Sequence, residues 1–184
     1  MDIIEIYPDH LFSIKNDGEE LNEYQNIFKR LSDKDTVLEF FKANECYLKN
    51  DFWGKYGLSP ENAAASVIED VYELEQYIED LCKHSQCNTR PDLDDYFKYL
   101  DGQYAYELEY IPMKGYGSYS PTFVRIYALK IQPNVYVIVY GGLKLAKKIK
   151  DSPVLKDNVM SRIDTARRFL HEIGVSDEGD LKMM

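Results

Sequence analysis

The chain has 184 residues, 45% of them hydrophobic and 14% aromatic, enough to bury a sizeable core in one domain or in one domain with an extension. Its net charge of −10 is unevenly spread: residues 1–110 carry 25 acidic against 10 basic side chains, and residues 111–184 carry 7 against 12. No stretch approaches the roughly 18 consecutive apolar residues of a membrane span, and MDIIEIYPDH lacks the layout of a secretory signal, so no membrane partner is expected and the location expected is cytoplasmic.

In chain order, Ile3 to Tyr7 and His10 to Lys15 are short apolar runs separated by Pro8-Asp9 and closed by Asn16-Asp17-Gly18, which predicts a hairpin. From Glu20 the period lengthens. Leu21, Tyr24, Ile27, Phe28 and Leu31 line one face of a helix, and a second helix starts at Ser32 or Asp33 and buries Val37, Phe40 and Phe41. Ser59 as cap and Pro60 in the first turn open the longest helix, Pro60 to about His84. Its apolar stripe is Ala64, Val67, Ile68, Val71, Leu74, Ile78 and Leu81, while Glu69, Asp70, Glu73, Glu75, Glu79 and Asp80 form a solvated acidic face. A short helix over Asp92 to Leu100 follows, ended by the turn at Asp101-Gly102.

Beyond Tyr104 the period becomes two. The expectation is an α+β protein: an N-terminal hairpin and helices, then a three-strand antiparallel meander over about 104–112, 122–131 and 135–141, packed by a C-terminal helix over about 153–173 that stops at Gly174. The glycine-rich MKGYGSYSP is expected as the loop between the first two strands, and Gln132-Pro133-Asn134 as the turn between the others. This gives an acidic, mainly helical part over 1–102, a sheet and helix over 103–175 and a flexible tail over 176–184, with a single compact unit left open.

Familiar site chemistries are missing. The sequence holds no phosphate-binding glycine loop, no helical His-Glu zinc pair and no nucleophile elbow. Cys46, Cys82 and Cys87 fall short of the four ligands of a structural zinc and are expected as reduced thiols. Asp92, Asp94 and Asp95 fit the acidic first turn of a helix better than a cation loop, so no metal or other cofactor is expected.

Cations concentrate around VRIYALKIQPNVYVIVYGGLKLAKKIKD, residues 124–151, where Arg125 and Tyr127 share a strand face and lysines follow the paired glycines. The strand YELEY, a glycine-bearing loop, FVRIYALKI, a tight turn, VYVIVYGG, the segment LKLAKKIKDSP and a terminal helix together resemble the RelE/HigB-like toxins of type II toxin-antitoxin systems. The likeness covers about residues 104–173. Arg125, Ile126 and Tyr127 match the basic strand of that family, and Gly141, Gly142, Lys144, Lys147, Lys148 and Pro153 match its following segment. The resemblance implies a metal-independent endoribonuclease acting on messenger RNA, often on the ribosome, with an antitoxin-like protein partner. Arg125, Tyr127 and Lys144 are then the catalytic candidates.

Such a reaction needs only proton transfer from the 2′-hydroxyl and support for the charge on phosphorus. Lys114, Tyr116, Tyr119, Lys147, Lys148 and Lys150 are candidates for gripping RNA, by charge and by stacking on bases. Each has an ordinary counterpart: Arg125 paired across the sheet with Glu107 or Glu109, Tyr127 as packing, and the lysines as a solvated turn. The alternative function is a non-catalytic protein-binding module using the acidic N-terminal helices, with helix 60–84 covering the basic surface or docking a cationic partner.

Overall fold

A computed structural model describes residues 1–100 and 109–183. The chain is α+β, built on a six-stranded sheet whose spatial order is β1-β2-β6-β5-β4-β3. The N-terminal hairpin is β1 (Asp2–Tyr7) and β2 (Leu11–Lys15). Helices α1 (Glu23–Ser32), α2 (Lys34–Ala43), the short α3 (Glu45–Leu48) and the long α4 (Pro60–Gln86) follow, then α5 (Leu93–Tyr96) and β3 (Lys98–Tyr99). Next come β4 (Ile111–Tyr116), β5 (Val124–Gln132) and β6 (Val135–Leu143), and helices α6 (Leu155–Glu172) and α7 (Glu178–Lys182) close the fold.

The helix starts follow from side-chain capping. Asn22 and Gln25 form a reciprocal capping box on α1, Asp33 accepts from Thr36 N at 2.7 Å on α2, and Ser59 accepts from Asn62 N ahead of Pro60 on α4. The β5–β6 hairpin turns on Pro133 and Asn134. Asn134 sits at φ 59° and is held by Asp94, which accepts from its N–H at 3.0 Å.

Two layers of helix cover the sheet, and strand parity divides the core. Val124, Ile126, Ala128, Ile138 and Leu143 pack with Ile27, Phe41, Val67, Val71, Leu74, Ile78 and Leu81 from α1, α2 and α4. Tyr127, Leu129, Val137 and Val139 point the other way, onto Val159, Ile163, Ala166 and Leu170 of α6. Every residue of β6 is buried, as a strand covered on both faces must be.

The structure moves several boundaries. The meander's strands run 111–116, 124–132 and 135–143, so MKGY, expected in a loop, is strand; the expected start over 104–108 lies outside the described residues. The expected helix over 92–100 is a single turn, because the chain leaves it at Phe97 to add Lys98 and Tyr99 alongside β4. Residues 1–102 and 103–175 share both cores: β2 lies parallel beside β6, and Ile3, Phe12 and Ile14 pack with the α6 residues. The 176–184 stretch carries α7, which buries Leu181 and is tied back by Lys182 to Asp9 and by Gln132 to Glu178.

Candidate functional site

Register decides which cations meet. Across β4, β5 and β6, Lys114 lies opposite Tyr127 and Tyr127 opposite Tyr140; Tyr116 lies opposite Arg125 and Arg125 opposite Gly142. Directly opposed residues share a face, so Lys114, Tyr116, Arg125 and Tyr127 stand together on the α6 side of the sheet. Lys144, two residues past Gly142 and fixed by its N–H to Phe123 O at 2.7 Å, continues that row. Three neighbouring strands thus deliver Lys114, Arg125 and Lys144 to one surface. None of the three has a carboxylate ion-pair partner among the described residues.

Arg125 is fixed in place. One guanidinium nitrogen donates to Val124 O at 2.6 Å and Thr122 O at 3.0 Å, and the group lies 4.3 Å from the centre of the Tyr116 ring. Tyr116 is 36% exposed, so its ring remains open to a second stacking partner. Burial lowers the Arg125 pKa, though a guanidinium stays charged at any physiological pH. Burial first, then the charges of Arg125 and Lys114, hold the Lys144 ammonium below its ordinary value. Lys114 donates to Leu100 O at 3.3 Å.

Other candidates are placed differently. Tyr127 is 1% exposed, its hydroxyl has no hydrogen-bond partner among the described residues, and burial pushes its pKa upward. It is a packed residue beneath the cations and cannot reach a bound phosphate as it stands. Tyr119 is turned to α4, donating its hydroxyl to Glu73 at 2.6 Å, which raises it to about 12. Lys147, Lys148 and Lys150 are exposed in the bend and single 3-10 turn after β6, not on a helix, and make no ion pair among the described residues.

Among the acidic groups, Asp70 lies near enough for its charge to act on Arg125. Glu109, a possible cross-strand partner of Arg125, pairs instead with His171 at 3.1 Å near the end of α6; Glu107 lies outside the described residues. Helix α4, which carries Asp70, packs in the core on the other side of the sheet, yet its Glu73 and Tyr77 line a surface cavity with Tyr116. Asp92 caps α5, Asp94 binds Lys130 at 2.8 Å, Asn134 and Tyr136, and Asp95 pairs with Arg90. No group of three His, Cys, Asp or Glu among the described residues is placed to hold a metal ion. Among them, too, no helix is long and apolar enough to cross a membrane.

Asp70 was missed by sequence reasoning. It is 2% exposed and accepts from Ser118 N, from Tyr119 N at 3.2 Å and from the Thr122 hydroxyl, so it clamps the loop whose Thr122 carbonyl orients Arg125. Burial raises its carboxyl against the lowering effect of those donors. The signal was available: position 70 lies three after Val67 and four before Leu74, inside the apolar stripe. Gly117 is required beside it, since a Cβ there would stand 2.0 Å from the carboxylate.

Comparisons with protein-family models, with curated proteins and with solved structures return no match.

Proposed function

We propose that the chain is a cytoplasmic RNA-binding protein related to the messenger-RNA-cleaving RelE/HigB toxins, with Lys114, Arg125 and Lys144 holding the phosphates. The observation that carries this is the row of three cations from adjacent strands, without carboxylate partners among the described residues and with an aromatic ring stacked on the central guanidinium. Arg125, held on one side by two carbonyls, keeps its remaining N–H groups for phosphate oxygens, a geometry a lysine cannot supply. Tyr116 offers its ring to an unstacked base, the grip that single-stranded RNA permits.

In the cleavage that the family resemblance implies, the 2′-oxygen attacks phosphorus, the bond to the 5′-oxygen breaks, and a cyclic phosphate and a free 5′-hydroxyl result. Arg125 supports the charge on phosphorus. Lys144, as an ammonium, shares that task, while water takes the 2′-hydroxyl proton and protonates the departing 5′-oxygen.

The double variant Arg125→Ala/Lys144→Ala tests this. Wild-type protein is expected to bind single-stranded RNA and, on expression, to arrest growth with loss of RNA integrity; the variant is expected to lose both. Equal RNA affinity of wild type and variant would remove the binding proposal. A harmless wild type that binds RNA but leaves it intact would remove cleavage alone.

A second surface supports protein docking. Tyr72 and Tyr77 are exposed on α4 beside Glu69 and Glu73, an aromatic and acidic strip suited to a cationic, antitoxin-like partner. Glu73 and Tyr77 line one surface cavity with Tyr116, so a partner docked on this strip is expected to compete with RNA for that ring.

A further inference from the structure

The parallel pairing of β2 with β6 ends at Ser13 and Ile138, so among the described residues no strand lies on that side of residues 139–143 of β6. Helix α1 fills part of the gap: Arg30 donates to Gly141 O at 2.6 Å and lies 5.9 Å from the centre of the Tyr140 ring. The rest is a cavity of about 170 Å³ whose apolar walls include Leu31, Val37, Phe40, Leu143 and Val154. An apolar cavity of about 150 Å³ accepts a benzene-sized group. The cavity meets a second, polar one along Arg30, Thr36 and Tyr140.

Tyr140 and Arg30 both line that junction, with Glu19, Glu23 and Asp33 on the polar side and Lys29 and Arg162 beside them. Tyr140 is 5% exposed, yet its hydroxyl makes no hydrogen bond among the described residues; burial raises its pKa, which keeps it a donor. Arg30 has no ion-pair partner among the described residues, whereas its neighbour Arg162 is held by Glu23 at 3.2 Å. Val154, at the rim, is the residue that opens α6 and has φ 66°, a conformation β-branched residues rarely adopt.

We propose that this cavity binds a small monocarboxylic acid, its compact hydrocarbon body among Leu31, Val37, Phe40 and Leu143 and its carboxylate on Arg30 and the Tyr140 hydroxyl. An apolar wall alone would take any hydrocarbon; the Arg30 guanidinium, which has no ion-pair partner of its own among the described residues, favours an anion there despite the Glu19, Glu23 and Asp33 carboxylates of the adjoining cavity. The site is independent of RNA binding.

Phenylacetate and its neutral amide, phenylacetamide, titrated into the full chain and followed by backbone amide NMR shifts, test this. Saturable shifts at residues 30–37 and 140–143 are expected from the acid at millimolar concentration. Affinity is expected to fall roughly tenfold or more in Arg30→Gln and, separately, in Tyr140→Phe, each a mild change that keeps the fold. The amide is expected to bind wild type no better than the acid binds those variants. No saturable shift with phenylacetate, shifts confined to other residues, or equal affinity for Arg30→Gln would each overturn the proposal.

Discussion

A chain lacking residues 1–100 is expected to be unfolded and insoluble, and any RNA cleavage is expected to be lost rather than released. Helices α1, α2 and α4 are one of the two walls of the sheet, and their removal uncovers Val124, Ile126, Tyr136, Ile138 and Leu143, each at most 5% exposed in the intact protein. At about 2 kcal/mol for each buried apolar side chain, uncovering five costs on the order of 10 kcal/mol, comparable with the whole stability of a typical domain. The deletion also takes away β2 and leaves an edge of β6 unpaired along its length. Circular dichroism of the fragment checks this. A cooperatively melting fragment, or growth arrest released by the deletion, would mean that the acidic part is a detachable cover.

Asp70→Ala is expected to lower stability by about 3 kcal/mol, because it leaves the buried Thr122 hydroxyl and two part-buried N–H groups without an acceptor. For a chain of this size that is a fall in Tm of roughly 6–12 °C. The same change is expected to weaken RNA binding, since Thr122 O no longer holds Arg125. Asp70→Asn keeps the shape and one acceptor and is expected to lie between. The folded carboxyl titrates above its unfolded value. This group therefore adds stability as pH falls through the raised value toward the unfolded one, and Asp70→Asn is expected to flatten that part of the pH profile. Thermal melts across pH check both statements. An alanine variant melting within about 2 °C of wild type would deny Asp70 its clamping role.

Periodicity made much of this fold readable before any coordinates. The α4 stripe, the alternation within β5, the unbroken apolar run of β6 and the caps Asp33 and Ser59 are local signals, and local signals survive tertiary packing. The parallel seam between β2 and β6 left no such trace: the partners lie about 125 residues apart, and no turn specifies their register. The start of the meander was misplaced because IPMKGY contains proline and glycine, which read as loop; β4 tolerates them near a sheet edge. Helix α7 was hidden because a single apolar residue, Leu181, anchors it among charges.

The candidate site was partly legible for the same reasons. Parity along a strand put Arg125 and Tyr127 on one face, but not that Tyr127 would be covered. The lysine run drew attention to Lys147, Lys148 and Lys150, whereas the cations that gather are Lys144, which directly extends the strand, and Lys114, which only the register brings alongside. Arg30 and Tyr140 gave no sequence signal, being 110 residues apart and joined only at the open edge of β6.

The binding constant for a single-stranded RNA, measured over a range of salt concentration, weighs the cation row itself. Three phosphate contacts by Lys114, Arg125 and Lys144 predict a slope of log K against log salt of about −2, falling below about −1 in magnitude for Arg125→Ala/Lys144→Ala. A wild-type slope near zero, or the same slope in both proteins, would contradict a phosphate-holding role for this face.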